Sequence, residues 1–234
     1  MRAQIGKTLV DLGPAELRAR LEGHAHVLID VGTGDGRFVY RWASANPDTL
    51  CIGIDAVGER MREVSHRASR KPARGGRPNA LFIVASAQAL PEELDGLADT
   101  LTINYPWSSL FTALVLPDPE VLAGLRRLVR PGAELVTLLN QSVLDDRPYA
   151  ERLGLPPLTD ERVEAELRPA YLAAGFELRE NRLLDGDAPH QTSWGQHLTL
   201  GSGRRTRLVT AQAVAAASTP AGASAAASGA AESV

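Results

Sequence analysis

The sequence predicts an α/β protein with a Rossmann-like, doubly wound fold: a seven-stranded, mostly parallel sheet with helices on both faces. Three observations carry this prediction. Short apolar runs typical of buried strands alternate with longer amphipathic segments typical of helices. A glycine-rich turn follows the first of these strands directly, and 234 residues suffice for one such domain. Strands that alternate with helices favour a parallel sheet.

The elements follow one another in a regular order. Strands are expected over residues 26–31, 50–55, 80–85, 100–104, 134–139, 176–184 and 196–200. Helices are expected over residues 37–45, 57–71, 119–129 and 159–174, with a further helix beginning at Pro14 and a turn at Gly6-Lys7. Residues 1–208 should form a single domain. Residues 209–234, rich in alanine and serine, lack an apolar face and should form a disordered tail.

Composition excludes several classes of protein. The hydrophobic fraction of 44% and the net charge of -3 are normal for a globular protein whose core needs no disulfide bonds or metal ions for stability. Cys51 is the one cysteine and lies in an apolar run, which indicates a core thiol and a reducing, cytoplasmic environment. No apolar run is long enough for a membrane span. The five histidines are scattered, so no metal site is expected. We also expect the protein to be a monomer.

The strongest motif is the turn Asp30-Val31-Gly32-Thr33-Gly34-Asp35-Gly36, between a strand and a helix. Its glycines permit a tight turn and close approach of the backbone to a ligand. Asp55 ends the next strand, nineteen positions after Gly36, and suits the two hydroxyls of a ribose. Asp30 and Asp35 would repel a pyrophosphate and attract a cationic ligand. The motif therefore favours S-adenosyl-L-methionine over a nicotinamide dinucleotide, and both over a turn without a ligand.

Ligands of such sheets lie across the carboxyl ends of the strands. After the third strand, the Ala87 backbone could donate to an adenine ring, and Ser86 or Gln88 could bond its amino group. The residues expected to hold the cofactor are Asp30, Gly32, Thr33, Gly34, Gly36, Asp55, Ala56, Ala87, Gln88, Asn104, Ser109, Thr192 and Ser193.

Two loop tryptophans are candidates for binding the methyl acceptor. Trp107 follows the fourth predicted strand beside Pro106, and Trp194 lies in a polar segment between the last two strands. Either could stack on a flat acceptor such as a base; the alternative is a core aromatic, as we expect for Trp42. The proposed catalytic role of Trp107 and Trp194 is therefore stacking of the target base.

Positive charge concentrates in residues 58–78, which hold seven arginine and lysine residues against two glutamates. Arg60, Arg67 and Lys71 share one face of the predicted helix. This pattern favours an RNA partner, and the alternative is a solvated helix face. The residues expected to contact RNA are Arg60, Arg67, Arg70, Lys71, Arg74, Arg204, Arg205 and Arg207.

Several of these motifs occur together in a known family. The glycine turn, Pro106-Trp107, Thr192-Ser193-Trp194 and the stretch Lys71-Pro72-Ala73-Arg74-Gly75-Gly76 resemble the 16S rRNA (adenine(1408)-N(1))-methyltransferases of the kanamycin–apramycin resistance type. The resemblance implies a class I S-adenosylmethionine-dependent methyltransferase. It also implies methylation of N1 of adenine 1408 in the 30S ribosomal subunit, resistance to aminoglycosides, and a flipped base held between Trp107 and Trp194.

Other activities stay open from the residues alone. Asn104-Tyr105-Pro106-Trp107 differs by one residue from the Asn-Pro-Pro-aromatic loop of adenine-N6 methyltransferases. A guanine-N7 RNA methyltransferase, a small-molecule methyltransferase with an enclosed pocket, and a methyltransferase-like binding module are further alternatives. Because adenine N1 already carries a lone pair, an N1 enzyme needs no general base and can act by positioning.

Overall fold

The described part of the chain forms a nine-stranded mixed sheet with helices on both faces. The computed structural model describes residues 1–184 and 205–214. The strands are β1 (Arg2–Ile5), β2 (Thr8–Asp11), β3 (His26–Val31), β4 (Thr49–Asp55), β5 (Ala80–Val84), β6 (Ala98–Asn104), β7 (Val129–Asn140), β8 (Phe176–Leu184) and β9 (Thr206–Ala213).

The helices are α1 (Pro14–Leu21), α2 (Arg37–Ala45), α3 (Gly58–Ala68), α4 (Ser108–Val115), α5 (Pro119–Leu128), α6 (Gln141–Asp145), α7 (Arg147–Arg152), α8 (Asp160–Arg162) and α9 (Arg168–Ala173). The helix expected over residues 159–174 is interrupted, since a π-helical turn (Val163–Leu167) joins α8 to α9. As expected, Asp118 caps α5 by accepting hydrogen bonds from the backbone of Glu120 and Val121. Among the helices that the structure describes, none could cross a membrane.

The strand order places a binding edge in the middle of the sheet. The order is β2-β1-β5-β4-β3-β6-β7-β9-β8, and β5, β4, β3, β6 and β7 run parallel. The chain moves to one side of β3 through β4 and β5 and then returns to its other side with β6. Ligands bind at such a switch point, outside the carboxyl ends of the strands. Here those ends belong to β3 and β6, which precede the glycine turn and the Trp107 loop.

The expected number of seven strands is too low: the described sheet contains six of those seven and three more, β1, β2 and β9. The first two of these form a hairpin. β1 and β2 pair antiparallel, and β1 extends the sheet beyond β5 through a pairing of Ala3 with Ile83. The turn expected at Gly6-Lys7 joins them, and Gly6 has the positive φ of 61° that a two-residue hairpin needs. Four-residue strands on a sheet edge leave too little alternation for sequence patterning to detect.

The last described strand corrects the domain boundary. β9 runs to Ala213, so the folded part extends past residue 208, and Ala211 and Ala213 are buried. These alanines resemble the low-complexity tail, but β9 lies between β7 and β8, where small side chains fit. The strand expected over residues 196–200 and the tail from residue 215 onward lie outside the described residues.

The expectation for Cys51 is confirmed. Its side chain is fully buried in the cluster formed by the sheet, α2 and α3, together with Phe38, Met61 and Phe82. Burial raises the pKa of this thiol to about 12. The thiol is therefore a packing group, because it carries no nucleophilic thiolate at neutral pH.

Candidate active site

A cavity of about 900 Å³ lies at the carboxyl ends of the central strands. The glycine turn, the end of β4, the segment after β5 and the Trp107 loop surround it. The sequence-predicted cofactor residues that line it are Asp30, Gly32, Thr33, Gly34, Asp55, Ala56, Ala87, Gln88, Asn104 and Ser109, and the predicted base-stacking Trp107 and RNA-contacting Arg60 line it as well.

The glycine turn leaves room for a ligand because of its backbone conformation. Gly34 and Gly36 have φ angles of 62° and 75°, which other residues rarely adopt. A Cβ at Gly34 would meet no atom within 4 Å, so that glycine faces open space within the cavity. Gly36 does not line the cavity, and a Cβ there would lie 2.6 Å from the ring of Phe82. Gly36 therefore lets the turn pack closely against Phe82 and does not itself face the cavity.

The carboxylate of Asp55 is fixed in place from two directions. One oxygen accepts a hydrogen bond from the backbone N–H of Gly34 at 2.9 Å, and the other accepts one from Val57 at 2.9 Å. Each carboxylate oxygen has further lone-pair capacity. Asp55 thus ties the glycine turn to the end of β4 and remains able to accept hydrogen bonds from two neighbouring hydroxyls.

Asp30 is almost completely buried, with 1% of its surface exposed. Its Oδ1 accepts hydrogen bonds from Thr102 Oγ1 at 2.7 Å and from Asn104 Nδ2 at 2.8 Å. Burial raises the pKa of Asp30 to about 6, although these hydrogen bonds favour the charged form. The carboxylate is therefore ionised at neutral pH at an energetic cost, which a cationic ligand in the cavity would offset.

Thr102 was missed by the sequence analysis. It pairs directly with Asp30 across the β3–β6 ladder, and Asn104 follows two residues later on the same face. Alternation with a period of two would have placed Thr102 beside Asn104, given the knowledge that β3 and β6 are neighbours. That pairing is long-range information that the local pattern lacks.

The Trp107 loop is held in an unusual backbone conformation. Tyr105 and Ser108 have φ angles of 50° and 52°, which are uncommon for residues other than glycine. The Tyr105 ring is buried, its N–H donates to the carbonyl of Leu138 at 2.8 Å, and its hydroxyl shares a 3.0 Å hydrogen bond with Thr206. These contacts restrain the loop, whose Trp107 stays 42% exposed at the cavity.

This conformation bears on the adenine-N6 alternative. A proline at position 105 would have no N–H to donate to Leu138, and its ring would fix φ near -65°. Asn104 directs its amide to Asp30. The loop therefore has a backbone that an Asn-Pro-Pro sequence cannot adopt, which argues against the adenine-N6 alternative.

A row of exposed cations begins at the cavity and follows α3. Arg60 lines the cavity, and Arg67 lies two turns further along the helix, about 10 Å away at 1.5 Å per residue. Residues 69–79, which we call the basic loop, continue the row. The exposed cations of this row are Arg60, Arg67, Arg70, Lys71 and Arg74. None of them has an ion-pair partner in the described part of the chain.

The second predicted cluster of cations is different. Arg205 is exposed, but it pairs with Asp145 at 2.6 Å. Arg207, expected on an RNA-binding surface, is only 6% exposed, and its guanidinium donates to Gln141, Asn181 and the carbonyl of Leu158. The expectation of a surface cation at 207 is corrected: sequence shows the charge but not the acceptors that allow burial.

Four predicted site residues fall in a segment that is not described. Thr192, Ser193, Trp194 and Arg204 lie outside the described residues. Trp42 lies on α2 and packs beside Phe38, with ring centroids 5.5 Å apart, as expected for a structural aromatic. Within residues 1–184 and 205–214, no group of three histidine, cysteine or acidic side chains could hold a metal ion.

The strand order, the acid-flanked glycine turn and Asp55 define the protein as a Rossmann-like, S-adenosylmethionine-dependent methyltransferase. The carboxylates and the space beside Gly34 fit a cationic nucleoside. A family model described as NpmA: 16S rRNA (adenine(1408)-N(1))-methyltransferase matches residues 2–213. The chain belongs to this family.

Individual relatives agree with this assignment. A 16S rRNA (adenine(1408)-N(1))-methyltransferase from Streptoalloteichus tenebrarius is 36% identical over 85% of this chain and 92% of its own. The crystal structure of an antibiotic-resistance methyltransferase, Kmr, is 70% identical with a TM-score of 0.80, covering 92% of this chain and 99% of its own. A tryptophan-to-alanine mutant of the Catenulisporales acidiphilia enzyme, solved with cosubstrate S-adenosylmethionine, is 34% identical with a TM-score of 0.85, covering 92% and 97%.

Proposed function

We propose that this protein methylates N1 of adenine 1408 of 16S rRNA within the 30S subunit and thereby confers aminoglycoside resistance. The observation that carries the proposal is a continuous arrangement of an acid-lined cavity, an exposed tryptophan at its mouth and a row of exposed cations leading away from it. The relatives named for this same reaction support the choice of target.

The cofactor would occupy the inner part of the cavity. Asp55 would accept the ribose hydroxyls, and the ionised Asp30 would attract the positive charge of the amino acid portion. Ala87 and Gln88 line the cavity after β5 and would contact the adenine ring. When bound, S-adenosylmethionine supplies a methyl group on a positively charged sulfur, which a lone pair can attack directly.

Trp107 would present the acceptor base to the inner cavity. Its indole could stack on a base that has left the RNA helix, which repays about 1–3 kcal/mol of the unstacking energy. Methylation of N1 places a positive charge on the adenine ring. An aromatic face attracts a cationic ring more strongly than it attracts a neutral one. Trp107 would therefore favour the methylated adenine as its charge forms.

Proton transfer need not accompany this reaction. Adenine N1 carries its lone pair at neutral pH, so the protein has only to hold the base in line with the methyl group. Asp30 does not need to act as a base, since its oxygen already accepts hydrogen bonds from Thr102 and Asn104. We propose that catalysis is positional and uses no metal.

The cation row would bind the phosphates of the ribosomal RNA around the target. Arg60 beside the cavity and Arg67 on the same helix face would lead the backbone from α3 toward Trp107. Phosphate contacts release counterions, so binding should weaken steeply as salt rises. We place the enzyme in the cytoplasm, where 30S subunits are found, and expect it to act as a monomer.

The same chemistry accounts for resistance. Aminoglycosides are polycations that bind the decoding site, and a methylated N1 adds a positive charge and removes a hydrogen-bond acceptor there. Expression in a susceptible bacterium should therefore raise the inhibitory concentration of drugs that contact adenine 1408. A variant that retains the fold but cannot bind cofactor should leave that concentration unchanged.

Primer extension tests the reaction directly. N1-methyladenine blocks reverse transcription, so 30S subunits treated with protein and S-adenosylmethionine should give a stop at adenine 1408. Omission of cofactor should abolish the stop. A stop at another nucleotide, or methylation of N6 detected by mass spectrometry of the nucleosides, would contradict the proposal. Methylation of small molecules without any effect on 30S subunits would favour the small-molecule alternative.

A further inference from the structure

Tyr40 is an aromatic residue of α2 whose side chain contacts the basic loop. Its ring is buried in the cluster between the sheet, α2 and α3. The guanidinium of Arg67 lies 4.8 Å from the ring centroid, and that of Arg77 lies 5.3 Å from it. Both distances are within the range of a cation–π interaction. One ring therefore holds a cation from α3 and a cation from the basic loop.

The hydroxyl of Tyr40 adds a directional contact. It donates a 2.6 Å hydrogen bond to the carbonyl of Gly75, at the centre of the basic loop. Gly75 has a φ of 84°, and a Cβ there would lie 3.2 Å from the Tyr40 oxygen. The loop thus approaches Tyr40 closely at the point where its chain reverses.

The rest of the basic loop is closed on itself. A Cβ at Gly76 would lie 1.7 Å from the carbonyl oxygen of Arg70, so the two ends of the loop touch. At the loop's exit, the Asn79 amide donates to the carbonyls of Ala43, Asn46 and Thr49, at or beyond the end of α2. Tyr40 and Asn79 together attach the loop to α2 at its middle and at its end.

We propose that Tyr40 is a positioning residue for RNA binding: it fixes the basic loop so that Arg70, Lys71 and Arg74 are held in one arrangement before RNA arrives. This inference rests on the proposed function. The three cations are exposed and have no ion-pair partners in the described part of the chain, so no carboxylate orders them. Order in this loop comes instead from its backbone, and Tyr40 supplies the contact at its centre.

The test compares kinetics on 30S subunits for two variants. Tyr40→Leu removes both the ring and the hydroxyl, and we expect it to raise KM for 30S subunits about tenfold. Tyr40→Phe keeps the ring, and we expect a smaller increase. For both variants, kcat and the affinity for S-adenosylmethionine should stay within about twofold of the wild type, because ordering of the loop affects binding of RNA alone.

Tyr171→Phe is the matched control. Tyr171 is also a buried tyrosine whose hydroxyl donates to a backbone carbonyl, that of Leu114, but it lies on α9 away from the basic loop. Its loss should lower the melting temperature and leave KM unchanged. If Tyr40→Leu fails to fold, Tyr40→Phe still tests whether Tyr40 orders the basic loop. Amide hydrogen exchange in residues 70–77 should then be faster than in the wild type, and an unchanged exchange rate would contradict the proposal.

A double-mutant cycle separates positioning from general destabilisation. If Tyr40 acts through the loop cations, Tyr40→Leu should have little further effect on KM once Lys71→Ala and Arg74→Ala are present. Equal effects in both backgrounds, or an unchanged KM in Tyr40→Leu, would overturn the inference. A wild-type protein that leaves adenine 1408 unmethylated would instead refute the proposed function, so the two failures are distinct.

Discussion

The acids of the cavity and the cations along α3 are prepared for their ligands in opposite ways. Asp30 and Asp55 have their oxygens engaged by hydrogen bonds from within the protein. Arg70, Lys71 and Arg74 are exposed and have no ion-pair partners in the described part of the chain. The first arrangement fixes a small ligand of defined shape. The second provides exposed charges on a fixed loop, which suits a long polyanion.

The largest expected effect follows from substitution of an acid of the cavity, and it is a loss of cofactor affinity. Asp55→Ala removes the carboxylate that would accept the ribose hydroxyls and also frees the N–H groups of Gly34 and Val57. We expect cofactor affinity to fall about 100-fold, or roughly 3 kcal/mol. Titration calorimetry with S-adenosylmethionine measures this. Unchanged affinity, or binding of NAD by the wild type, would show that the cavity holds a different ligand.

Trp107 lies between the acids of the cavity and the cations along α3, and its substitution should leave the affinity for the cofactor unchanged. Trp107→Ala should lower kcat on 30S subunits roughly 10- to 100-fold, as expected for the loss of one stacking face. Trp107→Phe should retain part of the activity. Because the side chain is exposed, the melting temperature should hardly change. A variant that melts early would instead identify Trp107 as a packing residue.

Charge reversal tests the cationic side. The double variant Lys71→Glu/Arg74→Glu should raise KM for 30S subunits about tenfold and make binding less sensitive to salt, since fewer phosphates are contacted. Cofactor affinity should not change, because neither side chain lines the cavity. Reversal of Arg62, which already pairs with Glu59 on α3, is the matched control and should have a smaller effect.

The smallest effect concerns the stability of the cofactor-free protein. The pKa of Asp30 rises from 3.8 to about 6 on folding, so the folded state holds this proton more tightly than the unfolded chain does. Its contribution to stability is therefore greatest below about pH 4 and is lost as the pH rises to about 6. We expect the melting temperature of Asp30→Asn, relative to wild type, to increase by a few degrees between pH 4 and pH 7.

The same variant should bind the cofactor more weakly at pH 7, because it lacks the negative charge. Wild-type affinity should fall as the pH drops below about 6, where Asp30 becomes protonated, and Asp30→Asn should lack this decline. Parallel pH profiles for the two proteins would show that Asp30 does not sense the ligand's charge. The acid that would serve the ligand therefore destabilises the empty site.

Sequence patterning selected residues that line one cavity because its signals are local. A buried strand, three glycines and Asp55 lie within thirty residues, and each has its own physical meaning. Patterning failed where the decisive partner is distant in sequence. The burial of Arg207 depends on Gln141 and Asn181, and the role of Thr102 depends on the pairing of β3 with β6.

Short apolar segments were the other source of error. The β1–β2 hairpin is too brief for a period to emerge, and the alanines of β9 resemble those of the tail that follows. Tyr40 was missed as a site candidate because a tyrosine on an amphipathic helix is predicted to be a core residue. It is core, and its distinguishing feature is the pair of arginines that only the folded chain brings to it.

The position of β9 has a consequence for the order in which the molecule is made. Among the described strands, β8 has β9 as its only neighbour, and β9 joins it to β7. During synthesis, β8 therefore lacks the strand that joins it to β7 until residues 206–213 have left the ribosome. Thr206, which holds Tyr105 in the Trp107 loop, arrives with them. Each newly made molecule should therefore gain the Thr206 contact to the Trp107 loop, and with it full activity, only after β9 has been inserted.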